Sequence, residues 1–300
     1  MASNLLCHAH LMSTQNLSRN HTLELIGITE ELPTLPDRFM KIQHVLNDPH
    51  SNADDVADVV KTDQATSVMI MKIANSTAYN PMNTSISQLP QAIARLGATE
   101  TANIALSMSL LYGFAIPAGM GAIRSFWAHA YAVGILCKHL VKKLPDPSLA
   151  PDPETMFLSG LLHDIGRAIL GIRVDLSYFE KEQFDTCGQA LIDAEQSNFG
   201  VTHAEAGSIM LAKWGMPDEI IEIVKSHHHQ SDDIGSTICF IANAFANEHL
   251  KHHNNIETIH TELANGLFDK AELILQEKGL IPADEIDEHL VTLDGRSHET

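Results

Sequence analysis

Six residues in the second half of this chain carry side chains suited to holding a divalent cation: His129, the pair His163 and Asp164, His203, and the pair His227 and His228. Neutral imidazole nitrogens and carboxylate oxygens suit Zn, Fe, Mn and similar ions. Such an ion turns bound water into a nucleophile near neutral pH. His129 stands at helical spacing from Val133 and Leu136. His163 and Asp164 follow the apolar run Met156 to Leu162, where a buried helix is about to end, and Gly166 allows another segment to approach closely. His203 opens a helix, and His227-His228 closes one that places Ile220 and Val224 on the same face. With 18 histidines in the chain, one adjacency carries little weight, and a lone helical histidine is more often packed or exposed than ligating. The weight lies in the joint pattern.

The elements that must position these residues are helical. Ala, Leu, Met and Ile recur at three- and four-residue steps along most of the chain, so the fold class expected is all-α. Three hundred residues, 44% of them apolar, can bury one or two helical cores. Residues 1–20 are polar and aperiodic and read as a flexible lead-in. Residues 21–120 form a first helical subdomain, entered through the rigid Leu32-Pro33-Thr34-Leu35-Pro36. Gly113, Pro117, Gly119 and Gly121 crowd into a linker. Residues 121–255 form the second subdomain, and 256–300 a helical tail with an acidic end. Ser51 and Asp63 read as N-caps, Asn75-Ser76 as a helix stop, and Thr202 to Glu205 as a capping box. Glu154 to Leu170 reads as one helix.

Nineteen basic against 38 acidic residues give a charge of -19, which repels a phosphate backbone and argues against general nucleic-acid binding. Cys7, Cys137, Cys187 and Cys239 form no CxxC pair. Cys137 and Cys239 fall on apolar faces, as reduced, core-packed thiols do. The opening residues lack a basic stretch leading into an apolar one, and no run approaches the roughly 18 apolar residues that cross a bilayer. The expectation is a cytoplasmic chain with no membrane segment.

Phe157-Leu158-Ser159-Gly160-Leu161-Leu162-His163-Asp164-Ile165-Gly166-Arg167 resembles the signature of the HD superfamily, and Ser125-Phe126-Trp127-Ala128-His129 resembles its upstream histidine element. The spacing from His203 to His227-His228 is similar to that of the extra ligands in the two-metal HD-GYP members, although the Gly-Tyr-Pro motif is absent. In the first half, Leu32 to Pro36, Thr62-Asp63-Gln64-Ala65, Ile73-Ala74-Asn75-Ser76, Ile86 to Ile93 and Leu96-Gly97 look like the series that defines HDOD domains, and Ile241-Ala242-Asn243 extends it. On these residues the chain is identified as a member of the HDOD family.

The resemblance implies two packed helical sub-bundles, the second an HD-superfamily core, in a bacterial regulatory module that signals through protein partners without hydrolysis. It implies His129, His163, Asp164, His203, His227 and His228 as ligands to one or two Fe, Mn or Zn ions, with His163 and Asp164 at the catalytic centre of any active member. Arg167 is the phosphate-binding candidate, and Lys138 and Arg173 are the other basic residues near the stations. A small phosphate ligand and a homo-oligomer are further expectations. The alternative reading is a metal-dependent phosphohydrolase acting through a bridging hydroxide. One departure bears on it: where the superfamily closes its site with aspartate, this chain carries Asn243, the remaining metal-ligand candidate. A neutral amide binds a divalent cation more weakly than carboxylate and cannot act as a base.

Overall fold

The computed structural model describes residues 17–27, 36–82, 84–113, 120–146, 148, 151–179, 188–229, 231–250, 253 and 256–280. Among them there is no strand, as the three- and four-residue periodicity requires. Residues 28–35 and 114–119, which include most of the expected extended entry and of the linker, lie outside the described residues, as do Cys7 and Cys187.

The first sub-bundle comprises α2 (Asp37–Asn47), α3 (Ala53–Val60), α4 (Gln64–Asn75), α5 (Leu89–Leu96) and α6 (Ala98–Gly113). Every residue from Thr101 to Leu110 is buried, because α6 takes α2, α3, α4 and α5 around one side and touches the second sub-bundle on the other. A helix apolar nearly all round needs such a central place. Local chemistry sets the ends of its neighbours. Asn52, one residue beyond the expected Ser51, caps α3 in a reciprocal box with Asp55, because its side chain reaches the Asp54 amide at 2.7 Å. Asp63 caps α4 as expected. Asn75 does more than stop that helix: its amide exchanges two 2.8 Å hydrogen bonds with the Ile86 backbone and so pins the following loop.

The second sub-bundle is built on α7 (Met120–Val141) and α8 (Pro153–Leu162), then α9 (Ile165–Arg173), a 3-10 turn (Leu176–Phe179), α10 (Gly188–Phe199), α11 (His203–Lys213), α12 (Asp218–Ser226) and α13 (Ile234–His249). Helices α7 and α8 meet backbone to backbone at Gly134 and Gly160. A Cβ on Gly160 would lie 2.8 Å from the Gly134 Cα, so no other residue fits there. The single helix expected over Glu154 to Leu170 is interrupted at His163-Asp164. Asp164 sits at φ -97°, ψ 8°, in the sparsely occupied bridge region where many active-site residues are found.

Two elements join the second sub-bundle from the ends of the chain. Helix α1 (Arg19–Gly27) packs on α9 and α11, and α14 (Ile256–Glu262) runs through a π-helical turn (Leu263–Leu267) into α15 (Phe268–Glu277). The tail docks on α7 and α13 and also touches α4. His139 stacks on Phe268 and meets Glu272 at 2.6 Å. No helix of the described residues is long and apolar enough to cross a membrane.

Candidate metal centre

The six stations, separated by up to 99 positions in sequence, converge. The ligand atoms of Asp164, His203, His227 and His228 lie within 4.8 Å of one another, and so do those of His129, His163 and Asp164. Asp164 belongs to both groups. The break between α8 and α9 turns its carboxylate inward, with Oδ1 at 3.1 Å from His203 Nε2 and 3.5 Å from His227 Nε2, and Oδ2 at 3.5 Å from His163 Nε2. His163, His203 and His227 are fully buried and Asp164 nearly so.

Three of the rings, those of His163, His227 and His203, are oriented by a hydrogen bond at the far nitrogen. His163 Nδ1 donates to the Gly160 carbonyl at 2.7 Å and His227 Nδ1 to the Val224 carbonyl at 2.6 Å, both one turn back along their own helices. Their Nε2 lone pairs therefore face the cluster. His203 donates from Nδ1 to Glu195 at 2.7 Å, and its backbone amide donates to the same carboxylate at 2.8 Å. Tyr178 donates its hydroxyl to Glu195 as well. A carboxylate behind a histidine fixes the ring tautomer and raises its basicity as a ligand, which is the usual second layer of a metal site.

The electrostatics of the cluster suit a bound cation. Burial pushes His163 down to about 3 and also depresses His129, His227 and His228, so these rings are neutral and hold free lone pairs. Burial works against the charge on Asp164, yet the surrounding histidines hold its carboxyl well below the ordinary range. His203 is the exception: burial opposes its charge, but Glu195 and Asp164 on either side push it up to about 9. Its Nε2 also faces His228 Nε2 at 2.7 Å. A proton on His203 thus stands between a carboxylate and a second imidazole nitrogen. His163 Nε2, fully buried, meets no hydrogen-bond partner. An orphaned buried nitrogen costs roughly 1–3 kcal/mol. The donor set fits a divalent cation: His163, His203, His227, His228 and His129 offer nitrogens, and Asp164 an oxygen common to both groups.

The remaining expected site residues are placed less simply. Asn243 stands beside His129, and its Oδ1 accepts from His129 Nε2 at 3.1 Å and from Asn247 Nδ2 at 2.8 Å. Arg167 turns inward: Nη1 lies 3.4 Å from Asp164 Oδ2, and the guanidinium sits 6.0 Å over the Tyr178 ring. Lys138 pairs with Glu154 at 2.9 Å and Glu100 at 3.7 Å instead of approaching the histidines. The capping box at α11 is half made. Thr202 accepts from the Glu205 amide, while the Glu205 side chain pairs with Arg19 of α1.

Glu195 was missed by sequence reasoning, yet a signal exists. Leu191, Glu195 and Phe199 are the buried residues of α10, spaced four apart. An acid in the middle of an apolar stripe must find a buried partner.

A helical core in which an interrupted helix sets a His-Asp pair among histidines from three further helices is that of the HD superfamily. The HDOD domain family matches residues 32–230, and the chain belongs to that family. Solved structures share the fold. A candidate signal-transduction protein from Marinobacter aquaeolei VT8 superposes with a TM-score of 0.60 at 19% identity, over 88% of this chain and 64% of that one. An HDOD domain protein of unknown function from Geobacter sulfurreducens gives 0.55 at 21% identity, over 86% and 98%. A candidate metal-dependent phosphohydrolase from Shewanella amazonensis SB2B gives 0.54 at 23% identity, over 90% and 94%. An uncharacterized protein of Treponema pallidum (strain Nichols) is 24% identical over 205 residues, 67% of this chain and 38% of that protein. The chain thus spans little more than a third of that relative's length.

Proposed function

We propose that this chain is a regulatory HDOD module, acting on signalling proteins in a bacterial cytoplasm, whose HD-like half holds one or two divalent cations without hydrolysing phosphate esters. The observation that carries the reading is burial. Four of the six ligands, His163, Asp164, His203 and His227, stand at or near zero exposure while His129 and His228 are half-buried, which suits a cation held for structure or regulation, whereas a hydrolytic site keeps a coordination position open to substrate. Arg167 supports it, since a guanidinium committed to Asp164 and Tyr178 is not presented to an incoming phosphate. Asn243 supports it too, because its amide oxygen is occupied by His129 and Asn247.

When bound, the cation would supply a Lewis acid and an activated water. His163, His203, His227, His228, His129 and Asp164 would hold it, and Glu195 would keep the His203 lone pair aimed inward. One observation favours the phosphohydrolase alternative: two ligand groups share Asp164, the arrangement that a two-metal hydrolase uses. The test is elemental mass spectrometry on protein purified without chelator, for wild type and His163→Ala/Asp164→Ala, with a phosphatase and phosphodiesterase screen. Bound Fe, Mn or Zn that the double variant loses, without turnover, is the expected result. Metal-dependent turnover would replace this reading with the alternative, and absence of metal from both proteins would overturn the metal site.

A further inference from the structure

A cavity of about 470 Å³ lies between the two sub-bundles, on side chains other than those of the histidine cluster. Helices α2 and α6 line it from one side, the start of α8 and the turn between α11 and α12 from the other. Its size falls within the range of small-molecule sites. The walls mix apolar and aromatic side chains, Phe39, Leu106, Phe157, Trp214 and Met216 among them, with polar ones from α2, α6 and the start of α8.

One polar group in the lining is unanswered. Asn103 is 1% exposed and its Oδ1 has no hydrogen-bond partner. A neighbour fixes which way the amide faces: Nδ2 donates to Glu154 Oε2 at 3.1 Å. The other Glu154 oxygen is held by Lys138 at 2.9 Å. A carboxylate only accepts, so turning the amide over would set two acceptors against each other. The acceptor therefore stays unsatisfied in a lining that also carries Asp152 and Glu154. An anion is repelled there, and a hydrogen-bond donor is required.

We infer that this cavity is a binding site for a small uncharged or cationic molecule that places an N–H donor on Asn103 Oδ1 and an aromatic or branched aliphatic body between Phe39, Phe157 and Trp214. The inference does not rest on the metal reading. The cavity uses the first half of α8, as far as Leu158, whereas His163 follows its last residue, and none of the six metal-ligand candidates lines it. Because α6 contributes Asn103 and α8 contributes Glu154, a bound molecule touches both sub-bundles at once.

The test uses the full chain and two probes of nearly equal shape, 4-(trifluoromethyl)benzamide and methyl 4-(trifluoromethyl)benzoate, titrated by fluorine NMR with Trp fluorescence as a second readout. A site built around a buried acceptor rejects the analogue lacking the donor, so the amide should bind roughly tenfold tighter than the ester. Asn103→Leu should abolish that preference while leaving ester binding intact, and Met216→Trp, at a half-buried wall position, should weaken both probes. Equal binding of the two probes, binding of neither, or a preference that survives Asn103→Leu would overturn the proposal. Should Asn103→Leu lose its helical circular dichroism, the wild-type preference and the Met216→Trp loss decide the matter.

Discussion

Gly166→Ala isolates how the cluster is held. A Cβ at that position would lie 1.8 Å from the His203 carbonyl oxygen and 2.6 Å from the Gly207 amide nitrogen. Both are backbone atoms, so no side chain can swing away. To relieve the first contact alone, α9 and α11 must separate by about 1.2 Å at the point where one carries Gly166 and the other His203. His203 Nε2 now stands 3.1 Å from Asp164 Oδ1 and 2.7 Å from His228 Nε2. Metal–ligand distances tolerate about 0.2 Å and a site as a whole about 0.5 Å. The shift therefore exceeds what the Asp164, His203, His227 and His228 group can absorb. Overpacking of this kind costs about 1–3 kcal/mol, which lowers Tm by a few to about 10 °C in a domain of this size. The expected outcome by elemental mass spectrometry is loss of metal in a protein that remains helical. Ile70→Ala, a cavity in the core of the first sub-bundle, serves as the control: it should cost about 2–4 kcal/mol and keep its metal. If Gly166→Ala retains the full wild-type metal content, close packing of α9 on α11 is not what places His203, and the reasoning fails.

Three further outcomes follow from single contacts. Glu195→Gln should weaken metal binding about 10- to 100-fold, read by competition with a chelating dye, because the ring of His203 loses the anion that supports it; unchanged affinity would remove Glu195 from the site. Asn243→Asp should hold metal through longer dialysis than wild type, since a carboxylate replaces a neutral amide, while hydrolysis of bis(p-nitrophenyl) phosphate stays at background; turnover in this variant would show that Asn243 alone silences the site. Burial raises the Glu100 pKa above its ordinary 4.5, and Lys138 offsets only part of the effect. An acid of this kind contributes stability below pH 4.5 that is lost as pH rises through the raised value. Glu100→Gln should therefore flatten the decline of the urea midpoint as pH rises above 4.5, and an unchanged pH profile would contradict the assignment.

Much of the site was legible because its ligands carry rare chemistry in ordinary helical contexts. His163 and Asp164 announce themselves after an unbroken apolar run, and Gly166 beside them marks a close approach that the structure locates at the His203 carbonyl. The apolar run that ends at Leu162 hinted at a helix end beside His163-Asp164, but the break itself was less legible. No proline or capping signal marks it, and Glu154 to Leu170 reads as one continuous apolar stretch. Glu195 escaped notice for the opposite reason: acids are common on helices, and only its register with Leu191 and Phe199 distinguishes it.

The sequence by itself determined the helical class, the family and the set of candidate ligands, because periodicity and rare side-chain chemistry are local properties of the chain. Tertiary structure decided what those residues face. It set one carboxylate oxygen of Asp164 against two histidines and the other against a third, drew Arg167 inward to Tyr178, and left Asn103 with an unmatched acceptor between the sub-bundles. Each of these depends on distances between helices far apart in the chain, which packing of large against small residues sets and no local pattern encodes.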